Sequence, residues 1–366
     1  GIYLNSSNNT FTENNISNNN LSGFNLTSNA DNNLIYNNYF SNNTINAYDP
    51  DGSSTNSWNT SKTSGTNIIG GSFIGGNYWD DYSGGDLNED GLGDTETPYN
   101  SSSGIPSGGD YAPLTTNYYP VITDMKSLSA YDPVPGGTTS IDMWFVVSDL
   151  NEVPTLDDSS AEIHFTKAGE TARNDTSCSA SDLNGTATNY SGTVVMQFYD
   201  GSGSWSINVS VKDNDNNFRE NTTTSFIYNP LTAMQTNLSE VDFGDTRSIG
   251  QQNVPATNDP FGVQNFGNQN ITDISVTAID LQGQTYPSYY IPAENIECDG
   301  DDSADDSTAL VNNTAVQIID PYPLYIEKGP SSMQSLYFHL DIPSTDLTSQ
   351  TYNTTGLGKW TITVSS

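Results

Sequence analysis

Positive charge is nearly missing from this chain of 366 residues: nine Lys plus Arg stand against 44 Asp plus Glu, a formal charge of -35. With so few cations to neutralise phosphates, a nucleic-acid partner is excluded, and an anionic membrane surface with it. The acidity fits cation binding or salty surroundings, and equally the self-repulsion that keeps a long surface protein soluble. None of the lysines, Lys62, Lys126, Lys167, Lys212, Lys328 and Lys359, stands in a recognisable catalytic setting. Histidine is limited to His164 and His339, both in alternating strand patterns, where each reads as an exposed strand residue rather than a catalytic base. No Ser, His, Asp set and no Gly-x-Ser-x-Gly elbow is visible, so no enzyme chemistry is expected.

Cysteine is equally scarce. Cys178 and Cys298 lie 120 residues apart, a spacing that matches no metal or redox signature. In an oxidising exterior one disulfide, within or between chains, is expected, with two free thiols as the alternative. No apolar run is long enough to cross a bilayer and no signal peptide is visible. The chain opens at Gly1 on a repeat-like Gly-Ile-Tyr-Leu, which reads as a processed or partial protein with further coils before it. Amphipathic helices are also missing, because Asn and Ser compete for backbone hydrogen bonds and Gly costs backbone entropy.

What is present is aromatic. Only 33% of residues are hydrophobic, yet 11% are aromatic, with 21 Tyr and 13 Phe, large flat side chains suited to strands. The length calls for two or three domains, and three are legible. In residues 1–48, Gly1-Ile2-Tyr3-Leu4 recurs as Gly23-Phe24-Asn25-Leu26, and Phe11, Asn14, Ile16 and Asn19 recur 24 residues later as Ile35, Asn38, Phe40 and Asn43. A period of 22–24 with a few apolar positions per short strand and Asn at the corners predicts coils of a parallel β-helix. Asn tolerates left-handed backbone at corners, and stacked Asn side chains can bond between coils. The Gly-rich, aromatic stretch 53–113 then predicts a cap, with Trp79, Tyr78 and Tyr82 hiding the last apolar face.

From Tyr118-Tyr119-Pro120 the period changes to two. Ile141, Met143, Phe145 and Val147, then Val194, Met196 and Phe198, then Trp205, Ile207, Val209 and Val211 alternate between turn clusters. This predicts an immunoglobulin-like β-sandwich over 117–230. The same logic over 231–366, with Val241 and Phe243, Ile274 and Val276, Leu336 to Ile342 and Trp360 to Val364, predicts a second sandwich. The expected fold is thus all-β: a short parallel β-helix end with its cap over 1–116, followed by two immunoglobulin-like sandwiches.

The block Gly76-Asn77-Tyr78-Trp79-Asp80-Asp81-Tyr82, the acidic loop Asp86 to Asp94, and the exit Asp110-Tyr111-Ala112-Pro113 occur in that order after the Asn-rich coils. Over the first third of the chain this resembles the end of NosD-type parallel β-helix proteins, abundant on archaeal cell surfaces. That resemblance implies copper, but soft-metal sites need Met, His or Cys, which are few and scattered here, so copper is not carried over. The last domain, with Asp259 to Val263, Leu336 to Pro343 and Gly358 to Val364, is similar to sandwich modules of archaeal surface-layer proteins, which implies surface display and assembly. The middle domain resembles immunoglobulin-like or cadherin-like modules in pattern alone.

Asp86-x-Asn88-x-Asp90-Gly91-x-x-Asp94 sets hard oxygen donors at alternate positions of a tight loop, and a carbonyl at Leu92 would complete a calcium set. The spacing resembles dockerin-type and thrombospondin-type loops. An EF-hand is ruled out because Thr97 stands at the twelfth position. The competing account is an acidic turn that needs no metal. Asp213, Asp215 and Asn217, and the run Asp299, Asp301, Asp302, Asp305 and Asp306, are weaker candidates for cations, since turns select the same residues for backbone reasons. Seventeen Asn-x-Ser/Thr sequons occur, where chance gives ~10. N-linked glycans are expected on several, among them Asn5, Asn25, Asn59, Asn100, Asn174, Asn184, Asn208, Asn237, Asn270 and Asn353.

Together these features lead to a non-catalytic structural subunit of an archaeal extracellular assembly, a surface layer, sheath or filament, whose partners are other copies of itself. The alternative is a cell-surface adhesin that binds carbohydrate or a neighbouring cell.

Overall fold

The computed structural model describes residues 1–50, 55–149, 156–183, 187–303 and 307–366. Among these residues every regular element is a strand, apart from a 3-10 turn at Ala293–Asn295. Three separate apolar clusters organise the described residues, one per region of chain.

In the first region the chain coils. Strands β1 (Ile2–Leu4), β2 (Thr10–Phe11) and β3 (Asn15–Ser17) belong to one turn, and β4 (Ser22–Leu26), β5 (Leu34–Ile35) and β6 (Tyr39–Ser41) to the next. They are followed by β7 (Ile45–Tyr48), β8 (Thr63–Ser64), β9 (Phe73–Ile74) and β10 (Tyr78–Trp79). Pairing between successive turns is parallel, in the orders β1-β4-β7, β2-β5 and β3-β6-β10. Register places Ile16 beside Phe40 and Phe40 beside Trp79, so like residues stack along the coil axis. The Phe40 and Trp79 rings stack at 4.3 Å between centroids, and Tyr99 stacks on Trp79 at 4.5 Å. Asn8, Asn18, Asn32, Asn37 and Asn42 have positive φ, as expected of coil corners, because Asn tolerates the left-handed region. The buried Trp58, which the repeat did not foreshadow, fills the space between Phe24 and Trp79.

The second region is antiparallel. Strands β11 (Val121–Met125), β12 (Thr138–Ser148), β13 (Leu156–Thr166), β14 (Arg173–Asp175), β15 (Ser179–Asp182), β16 (Ala187–Gln197), β17 (Gly203–Asp213) and β18 (Phe218–Tyr228) form two sheets, β11-β12-β16-β15 and β14-β13-β17-β18. The alternating Ile141, Met143, Phe145 and Val147 of β12 meet Trp205, Ile207, Val209 and Val211 of β17 in one core. Each such side chain contributes about 1.5–3 kcal/mol when fully buried. A one-residue slip would expose that whole set, and so the alternation also sets the register.

In the third region, strand Met333–Leu340 is central, paired with Phe261–Asn265 and with Ile296–Asp299. Asp273–Thr277 lies between Val316–Gln317 and Thr361–Ser365 in a second sheet. Two readings of the sequence fail here. Val241 and Phe243 lie in no strand, although both pack against the core. The acidic stretch Cys298 to Asp306, whose composition suits a solvated loop between strands, begins inside strand Ile296–Asp299 with Cys298 and Asp299 fully buried, where it pairs with Met333–Leu340.

Candidate functional site

Asparagine shares the coil with its apolar cluster. Three ladders of side-chain amides run from turn to turn: Asn9, Asn14, Asn19, Asn33 and Asn38 each donate the backbone N–H and the amide to the Oδ1 of an Asn one coil on, while Asn43 donates its amide alone to Asn46, three residues away. Asn14 bonds Asn38 at 3.1 and 2.9 Å, and Asn38 bonds Asn77 at 3.1 and 3.0 Å. Asn77 then meets the carboxylate of Asp110, its backbone N–H at 2.7 Å. A second ladder runs from Asn9 through Asn33 and Asn56 to Asp49. The third runs from Asn19 through Asn43 and Asn46 to Asp80 and Asp81. Every ladder therefore points its donors the same way and ends on a carboxylate. The physical reason is direct: the last amide still has N–H groups to satisfy, and a carboxylate supplies acceptors without needing a further acceptor itself.

Asp110 is fully buried and also accepts from the Trp79 indole N–H at 2.9 Å and from the Ala112 backbone at 3.0 Å. Burial pushes its carboxyl up to about 7, against the N–H donors of Asn77, Trp79 and Ala112, which pull it down. Gly76 has no room for a side chain, since a Cβ there would lie 1.8 Å from Asp110 Oδ1.

The predicted calcium loop closes on its own donors. Asp86 is buried and accepts from the backbone of Asn88 at 3.0 Å and of Gly91 at 2.5 Å. Asp94 accepts from the Leu87 backbone and the Asn88 amide, both at 2.9 Å. Asp90 accepts from the Leu92 backbone and pairs with Lys62. Leu92 is buried and bridges Leu114. Among the described residues the carboxylates of Asp86, Asp90 and Asp94 do not converge within 4.8 Å of one another. Burial raises the carboxyl of Asp86, and bonds from Gly91, Asn88 and Asp90 oppose it.

This loop also sits at a junction. Arg219 of the second region donates to the Leu87 carbonyl at 2.6 Å and to the Pro120 carbonyl at 2.8 Å. Beside it, the amide of Asn217 donates to Asn117 at 2.9 Å and the hydroxyl of Ser148 to Glu89 at 3.4 Å. The Asp213, Asp215, Asn217 turn is thereby part of the junction. Buried Asp213 accepts from the backbones of Asp215 and Asn217 and from the Asn217 amide. A second junction joins the sandwich to the third region through Lys328 with Glu170, Gln269 with Ser202 at 2.8 Å, and the rings of Phe198 and Phe266 at 5.7 Å.

The expected intrachain disulfide is not formed. Cys178 and Cys298 are free thiols on two different cores, and Cys298 is fully buried inside the third region, so it cannot reach another chain either. Burial raises the Cys178 thiol to about 11, and raises that of Cys298 well above the ordinary range. His339, expected at the surface, is buried with Nδ1 unpartnered, on a strand flanked along its edges by Val254–Pro255 and Ile296–Asp299. His164 is half-buried and bonds Glu162 at 2.8 Å. Asp302 faces His339 at 4.0 Å and is not among the acids that converge with Asp299 and Asp301, which are joined instead by Asp320. Asp305 and Asp306 lie outside the described residues, as does Asn184.

Of the sequons, Asn5, Asn100, Asn174, Asn237 and Asn270 are exposed, and Asn25, Asn59, Asn208 and Asn353 are half-buried. An open polar groove of about 380 Å³ runs along the coil beside Thr44, Ile45, Tyr48, Asp80, Asp81 and Ser101. Ile45 and Tyr48 are exposed in it, while Asp80 and Asp81 are held by Asn46. No helix among the described residues is long and apolar enough to cross a membrane, which leaves strands aside.

Residues 1–84 match the family described as periplasmic copper-binding protein (NosD), a β-helix-type domain, which is under a quarter of the chain. No match is found among curated proteins. Solved structures with local likeness include dimeric latent PorU of Porphyromonas gingivalis, at 12% identity and a TM-score of 0.23, covering 67% of this chain and 18% of that one. The secreted serine protease VesC of Vibrio cholerae follows at 7% identity and a TM-score of 0.18, covering 63% and 50%. The C-terminal domain of the Streptococcus agalactiae AgI/II polypeptide BspA has 9% identity and a TM-score of 0.17, covering 59% and 86%. Likeness this low carries no argument about activity. The matched segment contains no His, Cys or Met at all, so it lacks soft donors for copper. Residues 1–84 are thus similar to the NosD family in sequence and all-β architecture, without residues that fit its metal.

Proposed function

We propose that this protein is a non-catalytic structural subunit of an extracellular assembly, of the surface-layer, sheath or filament type found on archaeal cells. In this reading, residues 1–116 are the capped end of a parallel β-helix, and 117–230 and 231–366 are two immunoglobulin-like sandwiches strung behind it. The observation that supports it most is the use made of the few cations. Arg219 brackets the first junction and Lys328 the second, so two of the nine basic residues hold three regions in line. A chain of fixed segments transmits load, which a catalytic fold does not require. Self-association has a route through β18, an eleven-residue strand at the edge of its sheet whose outer side is bridged by Tyr131 at the Tyr228 end. Glycans on exposed sequons and calcium in the Asp86 to Asp94 loop belong to the same proposal.

The groove beside Tyr48 favours a second reading, an adhesin. An exposed tyrosine among hydroxyls, amides and two carboxylates is suited to a sugar face and its hydroxyls. Electron microscopy of the purified protein tests the pair: ordered lattices or fibres are expected, and isolated monomers that bind a glycan array overturn the structural reading in favour of the adhesin.

A further inference from the structure

At the end of strand Ile296–Asp299, the carboxylates of Asp299, Asp301 and Asp320 approach so that one oxygen from each lies within 4.8 Å of the others. Asp299 is fully buried, and while its Oδ1 accepts the Gly300 N–H at 2.7 Å, its Oδ2 meets no hydrogen-bond donor and faces the Asp320 carboxylate. None of the three is in an ion pair among the described residues. The place is built rather than incidental. Gly300 leaves the space that the Asp320 carboxylate occupies, since a Cβ there would lie 2.5 Å from Asp320 Oδ2. The turn carrying Asp320 is fixed by its own N–H to the Tyr322 carbonyl at 2.9 Å, and Thr308 bonds the preceding Ile319.

We infer that Asp299, Asp301 and Asp320 hold a hard divalent cation of the calcium class. An orphaned buried carboxylate oxygen beside two further carboxylates is costly unless a proton or a cation lies between them. All-oxygen donors of irregular placement suit Ca²⁺, which takes six to eight oxygens flexibly, better than metals that want nitrogen or sulfur. The exposed Asp301 leaves one side open for water to complete the shell. The site lies in the third region, far along the chain from the Asp86 to Asp94 loop, and stands or falls independently of the structural role.

The full chain, stripped with EGTA and titrated with CaCl₂, tests it by calorimetry and thermal melting. The wild type is expected to bind one equivalent of Ca²⁺ more than Asp320→Asn or Asp301→Asn. In EGTA both variants should melt at or above the wild type, because a repelling charge is gone; in Ca²⁺ the order should reverse. Equal equivalents in all three proteins, or one melting order in both buffers, overturns the site. Asp301 is exposed, so its variant keeps the test decisive if Asp320→Asn misfolds. A wild type that ignores Ca²⁺ and gains stability on acidification shows a shared proton instead, and equally overturns it.

Discussion

Both the coil and the sandwich behind it bury an apolar cluster, but the coil buries amide ladders beside it. The coil places Asn33, Asn38, Asn46, Asn77, Asp49 and Asp110 out of water and satisfies them through amide ladders. The sandwich core is mainly Ile, Val, Phe, Met, Tyr and Trp, and its cohesion comes from alternation and volume. A polar network is strong when every member is paired and fails sharply when one is not, whereas an apolar core loses stability in proportion to what is removed. The coil is therefore the less forgiving of the two.

Breaking a ladder should give the largest effect. Asn77→Ala strands the N–H groups of Asn38 and the carbonyls of Ile35 and Trp58, and a loss of about 4–6 kcal/mol is expected from several buried groups at ~1–3 each. Calorimetry should show the coil transition moving while the sandwich transition stays; a shift of both would mean the regions unfold as one. Phe145→Ala should do the reverse, costing about 3–5 kcal/mol in the sandwich alone.

Acidity separates the regions further. The Asp110 carboxyl is raised to about 7 from 3.8, so its folded form holds the proton more tightly than the unfolded chain does. Its contribution is full below about pH 4 and lost as pH rises through 7. Coil melting temperature should accordingly fall between pH 4 and 8, and Asp110→Asn should flatten that slope. Junction variants come next. Arg219→Ala removes two hydrogen bonds from a charged donor and should cost about 1–3 kcal/mol, decoupling the coil from the sandwich in the melt. Lys328→Ala at the part-exposed second junction should cost under about 1 kcal/mol. Smallest of all, a thiol reagent at neutral pH should label part-exposed Cys178 slowly and leave Cys298 untouched until unfolding, which mass mapping would read.

Much of this was legible residue by residue. The 24-residue return of Asn14 at Asn38 is the spacing of an actual ladder rung, and the alternation through Ile141 to Val147 is the buried face of β12. Harder to read were the carboxylates that end the ladders. Asp110 stands 33 residues beyond Asn77, outside any period, and only its place in the Asp-Tyr-x-Pro exit marked it. Asp320 sits apart from the acidic run it joins, while Asp302, inside that run, turns toward His339.

By itself the sequence determined the all-β character, the corners of the coil and the inward faces of the strands, because these follow from local backbone preference and short periods. Tertiary structure alone decided which acids end the ladders, that Cys178 and Cys298 belong to separate cores, and that Arg219 and Lys328 stand at junctions. Those depend on approach between residues distant in the chain, which no local pattern encodes. Scarcity of positive charge is visible from composition, but that two of the nine cations, Arg219 and Lys328, stand where the regions meet is seen only there.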